Sequence, residues 1–229
     1  MKYPEDFLNK VIQGDCLEVM KDIPDNSIDM ILTDPPYGIK QAEWDKHLPI
    51  DWVEDIIRVI KNTGSFYIFG DSLTLSKLQI AWENKINWKG RATWIYESGP
   101  RNSKNWTSKH EDCLYYFGEN HESSIPKEKS KYQDKRWGDY RYIGDVWKFD
   151  RILGNNNKRF EHPTQKPIEL IKMIVIASSK ENDIVLDPFL GSGTTAVACQ
   201  NLKRNFIGIE ISPEYCKIAE ERLKQQTLL

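Results

Sequence analysis

The chain has 229 residues, 29% of them charged, with 32 Lys and Arg against 34 Asp and Glu and a net charge of −2. That length suits one α/β domain carrying an insertion rather than two full domains, and the near-neutral total gives no overall polyanion-binding signal. Four cysteines without a Cys-x-x-Cys pair exclude a zinc ribbon and a dense disulfide framework, and the absence of a long apolar run or a signal-like start leads to the expectation of a cytoplasmic protein.

Seven β-branched or aromatic runs predict strands: "VIQGD" (11–15), "IDMILTD" (28–34), "GSFYIFG" (64–70), "ATWIYE" (92–97), "CLYYFG" (113–118), "DIVLD" (183–187) and "NFIGIE" (205–210). Several are continuously apolar, as strands buried on both faces are. Between the second and third runs, Trp52, Val53, Ile56, Ile57 and Ile60 recur at helical spacing and predict one buried face of a helix. After the last run, Ser212 is the expected N-cap of a helix with Pro213 at its first position and Tyr215, Ile218, Ala219 and Leu223 as its apolar stripe. Strands alternating with helices predict a mostly parallel sheet covered on both faces.

From residue 98 to 160 the pattern turns polar and irregular, with 13 Lys and Arg against 9 Asp and Glu. Within it, Lys131, Tyr132, Lys135, Arg136, Trp137, Tyr140 and Arg141 interleave cations and rings, a mixture suited to phosphates and exposed bases. Composition alone fits a solvated loop with a few docking aromatics slightly better, and the motifs around the stretch shift the balance. His47 and His121 have no motif around them and are expected on the solvated surface.

Two strand ends carry chemistry. The run 183–187 ends on Asp187, followed by a Gly191-Ser192-Gly193 turn, an expected helix from Thr194 to about Leu202, another strand and then Glu210. Glycines at such a turn let backbone approach a ligand, and an acid ending the next strand is placed to accept ribose hydroxyls. A phosphate-binding P-loop would need Lys at 194, where threonine stands; a dinucleotide fingerprint tolerates Ala196 as its third small residue and stays open. The run 28–34 ends in Asp34-Pro35-Pro36-Tyr37. A carboxylate and the carbonyl of Pro35 are two acceptors suited to an NH₂ group, and Tyr37 offers a flat face for a ring.

Together "DPPY" at 34–37 and "DPFLGSGTT" at 187–195 closely resemble the S-adenosylmethionine-dependent amino-methyltransferases of DNA, in the group whose catalytic segment precedes the cofactor loop. The resemblance extends through "GDCLEVM" (14–20), "SKHEDCLYYF" (108–117), "HPTQKP" (162–167) and "NFIGIE" (205–210), in the family's order across nearly the whole chain.

The resemblance implies a doubly wound, mostly parallel seven-stranded sheet with one antiparallel member. It divides the chain into a catalytic half (1–118), a target-recognition insertion (119–159) and a cofactor-binding half (160–229). It implies methyl transfer to the N6 amine of an adenine flipped out of double-stranded DNA, with Asp34, Pro35, Pro36 and Tyr37 as the catalytic segment and no covalent enzyme intermediate. Phe189, Gly191, Ser192, Gly193, Thr194 and Thr195, with Asp34 and Asp187 beside them, would line the methionine and ribose portion of S-adenosylmethionine. Glu210 would take the ribose hydroxyls, Asp15 and Cys16 would flank the adenine of the cofactor, and His162, Thr164 and Lys166 would hold its methionine end. His110 and Glu111 match a family pair without an assigned role.

Cys16 also reads as a small buried hydrophobe, and "HPTQKP" as a helix start with Pro167 at N1. A homodimer and a cognate restriction endonuclease are compatible partners. The rivals are cytosine-N4 methylation, which the same cage accepts although aspartate before the prolines leans to adenine, a non-catalytic nucleic-acid-binding module, and a nicotinamide dehydrogenase. All of the methyltransferase readings require the strands ending at Asp34 and Asp187 to lie side by side.

Overall fold

Alternation along strand β2 (Ile28–Thr33) sends Met30 and Leu32 to one face of a sheet and Ile31 to the other, and both faces are buried. The computed structural model describes residues 1–37, 50–97, 106–121, 144–152 and 165–226. In chain order these form β1 (Lys10–Gln13), α1 (Cys16–Val19), β2, α2 (Val53–Val59), β3 (Ile60–Gly70), α3 (Ser72–Ala81), β4 (Gly90–Ile95) and β5 (His110–Phe117). Then come β6 (Val146–Lys148), α4 (Ile168–Ser178), β7 (Ile184–Asp187), α5 (Thr194–Asn201), β8 (Asn205–Glu210) and α6 (Pro213–Gln226).

The strands make one sheet in the order β1-β8-β7-β2-β3-β5-β4-β6. Every pairing is parallel except those of β5, which runs against both β3 and β4. Ile31, Phe66, Ile68 and Leu186 pack on one face with Trp52, Val53 and Ile56 of the α2 region and Leu75 and Leu78 of α3. Met30, Leu32, Tyr67 and Val185 pack on the other face with Leu170 and Ile174 of α4 and Ala196 and Cys199 of α5. Each fully buried aliphatic side chain of this kind is worth roughly 1.5–3 kcal/mol, so the apolar strand centres set the layering. No described helix is long and apolar enough to cross a membrane.

The doubly wound sheet with a single antiparallel strand agrees with the sequence reading, but it has eight strands rather than seven. The additional strand, β6, pairs in parallel with β4 through Thr93↔Val146, Trp94↔Trp147 and Ile95↔Lys148. Three residues within a polar stretch carry no period-2 signal, yet buried Trp147 anchors the strand and its Nε1 donates to Gly144 O at 3.0 Å. A second correction concerns the helix at 51–60. Trp52, Val53 and Ile56 are buried as expected, but Ile57 is 39% exposed and Ile60 has left the helix to begin β3 opposite Ile28. His121 is also not solvated surface: its ring stacks on Phe117 at 4.3 Å with 4° between planes, and Nδ1 lies 2.8 Å from Thr63 O. His47 lies outside the described residues, as does the whole set Lys131, Tyr132, Lys135, Arg136, Trp137, Tyr140 and Arg141.

Candidate active site

The sheet order reverses between β7 and β2: from β7 the chain continues to β8 on one side, and from β2 to β3 on the other. Such a reversal opens a crevice at the carboxyl ends of the two strands. Their register, Met30↔Val185 and Ile31↔Leu186, brings the two ends together, and Thr33 Oγ1 donates to Asp187 Oδ1 at 2.8 Å across 154 residues of chain. A cavity of about 390 Å³ lies there. Asp15, Cys16, Asp34, Pro35, Pro36, Tyr37, Lys166, Asp187, Phe189, Gly191, Ser192, Thr194, Thr195 and Glu210 all line it. Gly193, in the same bend, does not line it, and His162 and Thr164 lie outside the described residues.

The glycine bend is built for close approach. Gly191 and Gly193 have φ of 53° and 82°, the left-handed region that suits glycine, and a Cβ on Gly193 would fall 2.7 Å from Ala219 Cβ on α6. Gly193 is the N-cap of α5, and Thr194 and Thr195 form its first turn. Arg222 of α6 reaches under the bend, its Nη1 donating to Ser192 O at 2.5 Å, Ser192 Oγ at 3.0 Å and Thr194 Oγ1 at 3.1 Å. Burial pulls the Arg222 pKa down to about 10, which leaves it charged at neutral pH. Glu210, at the end of β8, accepts the N–H groups of Gly191 at 2.8 Å and Ser212 at 2.7 Å. Burial raises its carboxyl, and those backbone donors oppose the rise. An ionised carboxylate accepts about four hydrogen bonds, so lone pairs remain for a ligand.

On the near wall, β1 gives way to Asp15, which caps α1 by accepting Leu17 N–H at 2.9 Å. Burial, then the neighbouring Asp15, push the Cys16 thiol up to about 12, so it lines the cavity as an apolar group and not as a nucleophile. Phe189 stands edge-on to buried Trp52 with ring centres 5.2 Å apart.

The opposite wall differs from expectation in its partners. Asp34 accepts a hydrogen bond from Tyr37 Oη on Oδ1 at 2.5 Å and one from Lys166 Nζ on Oδ2. Both carboxylate oxygens are therefore engaged, and Tyr37 contributes a donor as well as a ring face. Lys166 is buried, lies 3.1 Å from Glu111 Oε2, and sits over the rings of Phe69 and Trp94 at 5.2 and 6.0 Å. Its burial would lower its pKa, but Asp34 and Glu111 overcome that and raise it, keeping the ammonium charged. Burial and then Asp34 raise the Tyr37 hydroxyl well above its usual value, so it stays protonated.

Asp187 is held differently. Burial pushes its pKa up to about 7 against the hydrogen bonds from Thr195, Thr33 and Phe189 N–H. A carboxyl raised from 3.8 to about 7 holds more protons folded than unfolded within that window, so stability falls as pH rises through it and levels off above. Asp187→Asn, which keeps an acceptor for Thr33, removes this dependence. Denaturant midpoints at about pH 5 and about pH 8 should show the variant gaining on the order of 2 kcal/mol relative to the wild type. Identical pH profiles would refute the raised carboxyl.

Sequence reasoning left several wall residues unassigned. Glu111 was noticed only as part of a matched pair. Arg151, whose Nη2 lies 3.9 Å from Glu111 Oε1, carries no motif signal, nor does Arg222, which does not line the cavity but holds Ser192 and Thr194 that do. Ile211, the residue after Glu210, and Tyr215, in the first turn of α6, also line the cavity; the sequence places Tyr215 only in the apolar stripe of that helix.

Residues 28–221 match the family model described as DNA methylase. Type II methyltransferase M.HpaI of Haemophilus parainfluenzae is 31% identical over 234 residues, covering 95% of this chain and 74% of the relative. DNA adenine methyltransferase YhdJ of Escherichia coli (strain K12) is 34% identical over 242 residues, covering 93% and 82%. The crystal structure of an M1.HpyAVI–SAM complex superposes with a TM-score of 0.73 at 28% identity, covering 93% of this chain and 98% of that one. S-adenosylmethionine, the ligand of the M1.HpyAVI–SAM complex, fits the residues present: the Glu210 carboxylate keeps free lone pairs, Gly191 and Gly193 present backbone without Cβ atoms, and Cys16, Phe189 and Ile211 supply apolar wall. With the matched stretch running from β2 through the glycine bend into α6, this chain belongs to the DNA methylase family, the S-adenosylmethionine-dependent amino-methyltransferases.

Proposed function

We propose that this protein is a site-specific DNA methyltransferase that modifies the N6 amine of an adenine turned out of duplex DNA. The observation that carries the reading is the single cavity lined by both the Asp34–Tyr37 segment and the glycine bend. The names of M.HpaI, a Type II methyltransferase, and YhdJ, a DNA adenine methyltransferase, support the substrate class and the base.

S-adenosylmethionine supplies a methyl group on a sulfonium, an electrophile whose leaving group is a neutral thioether. Residues Asp15, Cys16, Asp187, Phe189, Gly191, Ser192, Gly193, Thr194, Thr195 and Glu210 would hold it, with His162, Thr164 and Lys166 toward its methionine end. Adenine's N6 lone pair is delocalised into the ring. By accepting the amine N–H groups, Asp34 and the Pro35 carbonyl favour a pyramidal nitrogen with its lone pair aimed outward, while Pro36 fixes the turn and Tyr37 stacks on the base; after transfer the cationic nitrogen gives up one of its N–H protons to solvent. Turning the base out costs a few kcal/mol, which stacking and phosphate contacts offset.

In this reading residues 119–159 recognise the target, through Lys131, Tyr132, Lys135, Arg136, Trp137, Tyr140 and Arg141, between a catalytic half at 1–118 and a cofactor half at 160–229. So small a recognition segment favours a short site or a homodimer, and the Type II naming of relatives points to a cognate restriction endonuclease. Mapping modified bases in DNA from cells expressing the protein tests the proposal. N6-methyladenine at one short sequence, absent without the protein, is expected; N4-methylcytosine or unmodified DNA would overturn it.

A further inference from the structure

The Asp34 wall poses a problem for the proposed reaction. Tyr37 and Lys166 each hold one of its carboxylate oxygens; lone pairs remain, but the ammonium offsets the negative charge that would draw an incoming amine's N–H groups. Lys166 is buried, and drawing a buried ammonium away from its carboxylate is costly unless another anion receives it.

That second anion is present. Glu111 Oε2 is buried, faces Lys166 Nζ at 3.1 Å, and makes no aligned hydrogen bond. The ammonium thus lies within ion-pair distance of two carboxylates and is seated on one. Arg151 lies 3.9 Å from the other Glu111 oxygen, an ion pair beyond hydrogen-bond distance, and its guanidinium rests on the Tyr96 ring at 4.9 Å. The topology explains the placement. Because β5 runs antiparallel, its first residues reach the end of the sheet where the parallel strands finish, with Asp112 paired to Gly70 and Glu111 adjacent.

We infer that Glu111 is a positioning residue that offers Lys166 a second seat, so that the ammonium moves from Asp34 to Glu111 as the target amine arrives and the Asp34 carboxylate meets that amine without its countercharge. The exchange conserves charge: one ammonium stays paired with one carboxylate throughout, and the freed acceptor takes an amine N–H in place of an ammonium N–H. The Phe69 and Trp94 rings beneath Lys166 favour the cation along this path. The inference rests on the proposed amine methylation.

A double-mutant cycle in the full-length protein tests it, with Glu111→Gln, Lys166→Met and the pair, read by single-turnover methyl transfer to duplex DNA at saturating cofactor and by the cofactor dissociation constant. Glu111→Gln alone is expected to slow transfer about 10-fold or more while moving the cofactor constant less than about twofold. In the Lys166→Met background, with no ammonium to reseat, the same substitution is expected to cost less than about twofold. Equal losses in both backgrounds would overturn the second-seat role, as would a Glu111→Gln protein whose defect lies in folding or cofactor binding. A wild-type protein that methylates DNA while the cycle is additive sinks this inference alone; a wild-type protein that transfers no methyl group sinks the proposed function and this inference with it.

Discussion

Asp34→Ala is expected to slow single-turnover methyl transfer by about 100- to 1,000-fold, the usual cost of deleting one electrostatic contact aimed at a transition state. The dissociation constant for S-adenosylmethionine should move by less than about threefold, because uniform binding and transition-state contacts are separable. The geometry supports that split. The carboxylate's bonds run to Tyr37 and Lys166, whereas the glycine bend is organised by Glu210 and Arg222 on other elements. Alanine also leaves buried Lys166 with Glu111 as its remaining acidic neighbour, which costs some stability. Asp34→Asn is therefore the companion variant: it preserves volume and one acceptor while removing the charge. Turnover above about a tenth of wild type in both variants would end the catalytic assignment.

What the sequence disclosed and what it concealed follow one physical division. Strands buried on both faces, such as β2, β7, β8 and residues 64–70 of β3, must be largely apolar, so they are visible as runs, and β8 has the expected bounds, Asn205–Glu210. The chemistry at their carboxyl ends was legible for the same reason, since ligands gather where such strands stop. Edge elements escape this rule. β6 is three residues long and was hidden in a polar stretch. At the end of α2, pairing between Ile28 and Ile60 overrides the helical spacing, and within the helix Ile57 faces solvent. Long-range charge partners were equally hidden. No spacing rule joins Lys166 to Asp34 across 132 residues, or to Glu111 on a strand whose direction alone brings it to the site. Arg222, in the last turns of α6, has no local signal at all; only the fold sets it beneath Ser192.

Glu210→Ala is expected to produce the converse phenotype, raising the S-adenosylmethionine dissociation constant about 10- to 100-fold. Hydrogen bonds to a charged acceptor contribute roughly 1.5–3 kcal/mol each, and about 1.4 kcal/mol corresponds to a factor of ten, so losing one or two ribose contacts spans that range. The carboxylate is already oriented before any ligand arrives: Gly191 and Ser212 N–H groups hold one oxygen each, leaving outward lone pairs fixed over the cavity. Alanine therefore removes the ligand contacts and also releases Gly191, the first residue of the bend. Glu210→Gln keeps an acceptor for one of those two backbone groups and should fall between wild type and alanine. At saturating cofactor the single-turnover rate in both variants should stay within about threefold of wild type, because Glu210 lies on the cofactor wall and not beside Asp34. Calorimetric titration gives the binding constants directly. An unchanged constant in Glu210→Ala, or a collapse of the saturated rate without weaker binding, would rule out the ribose-binding role.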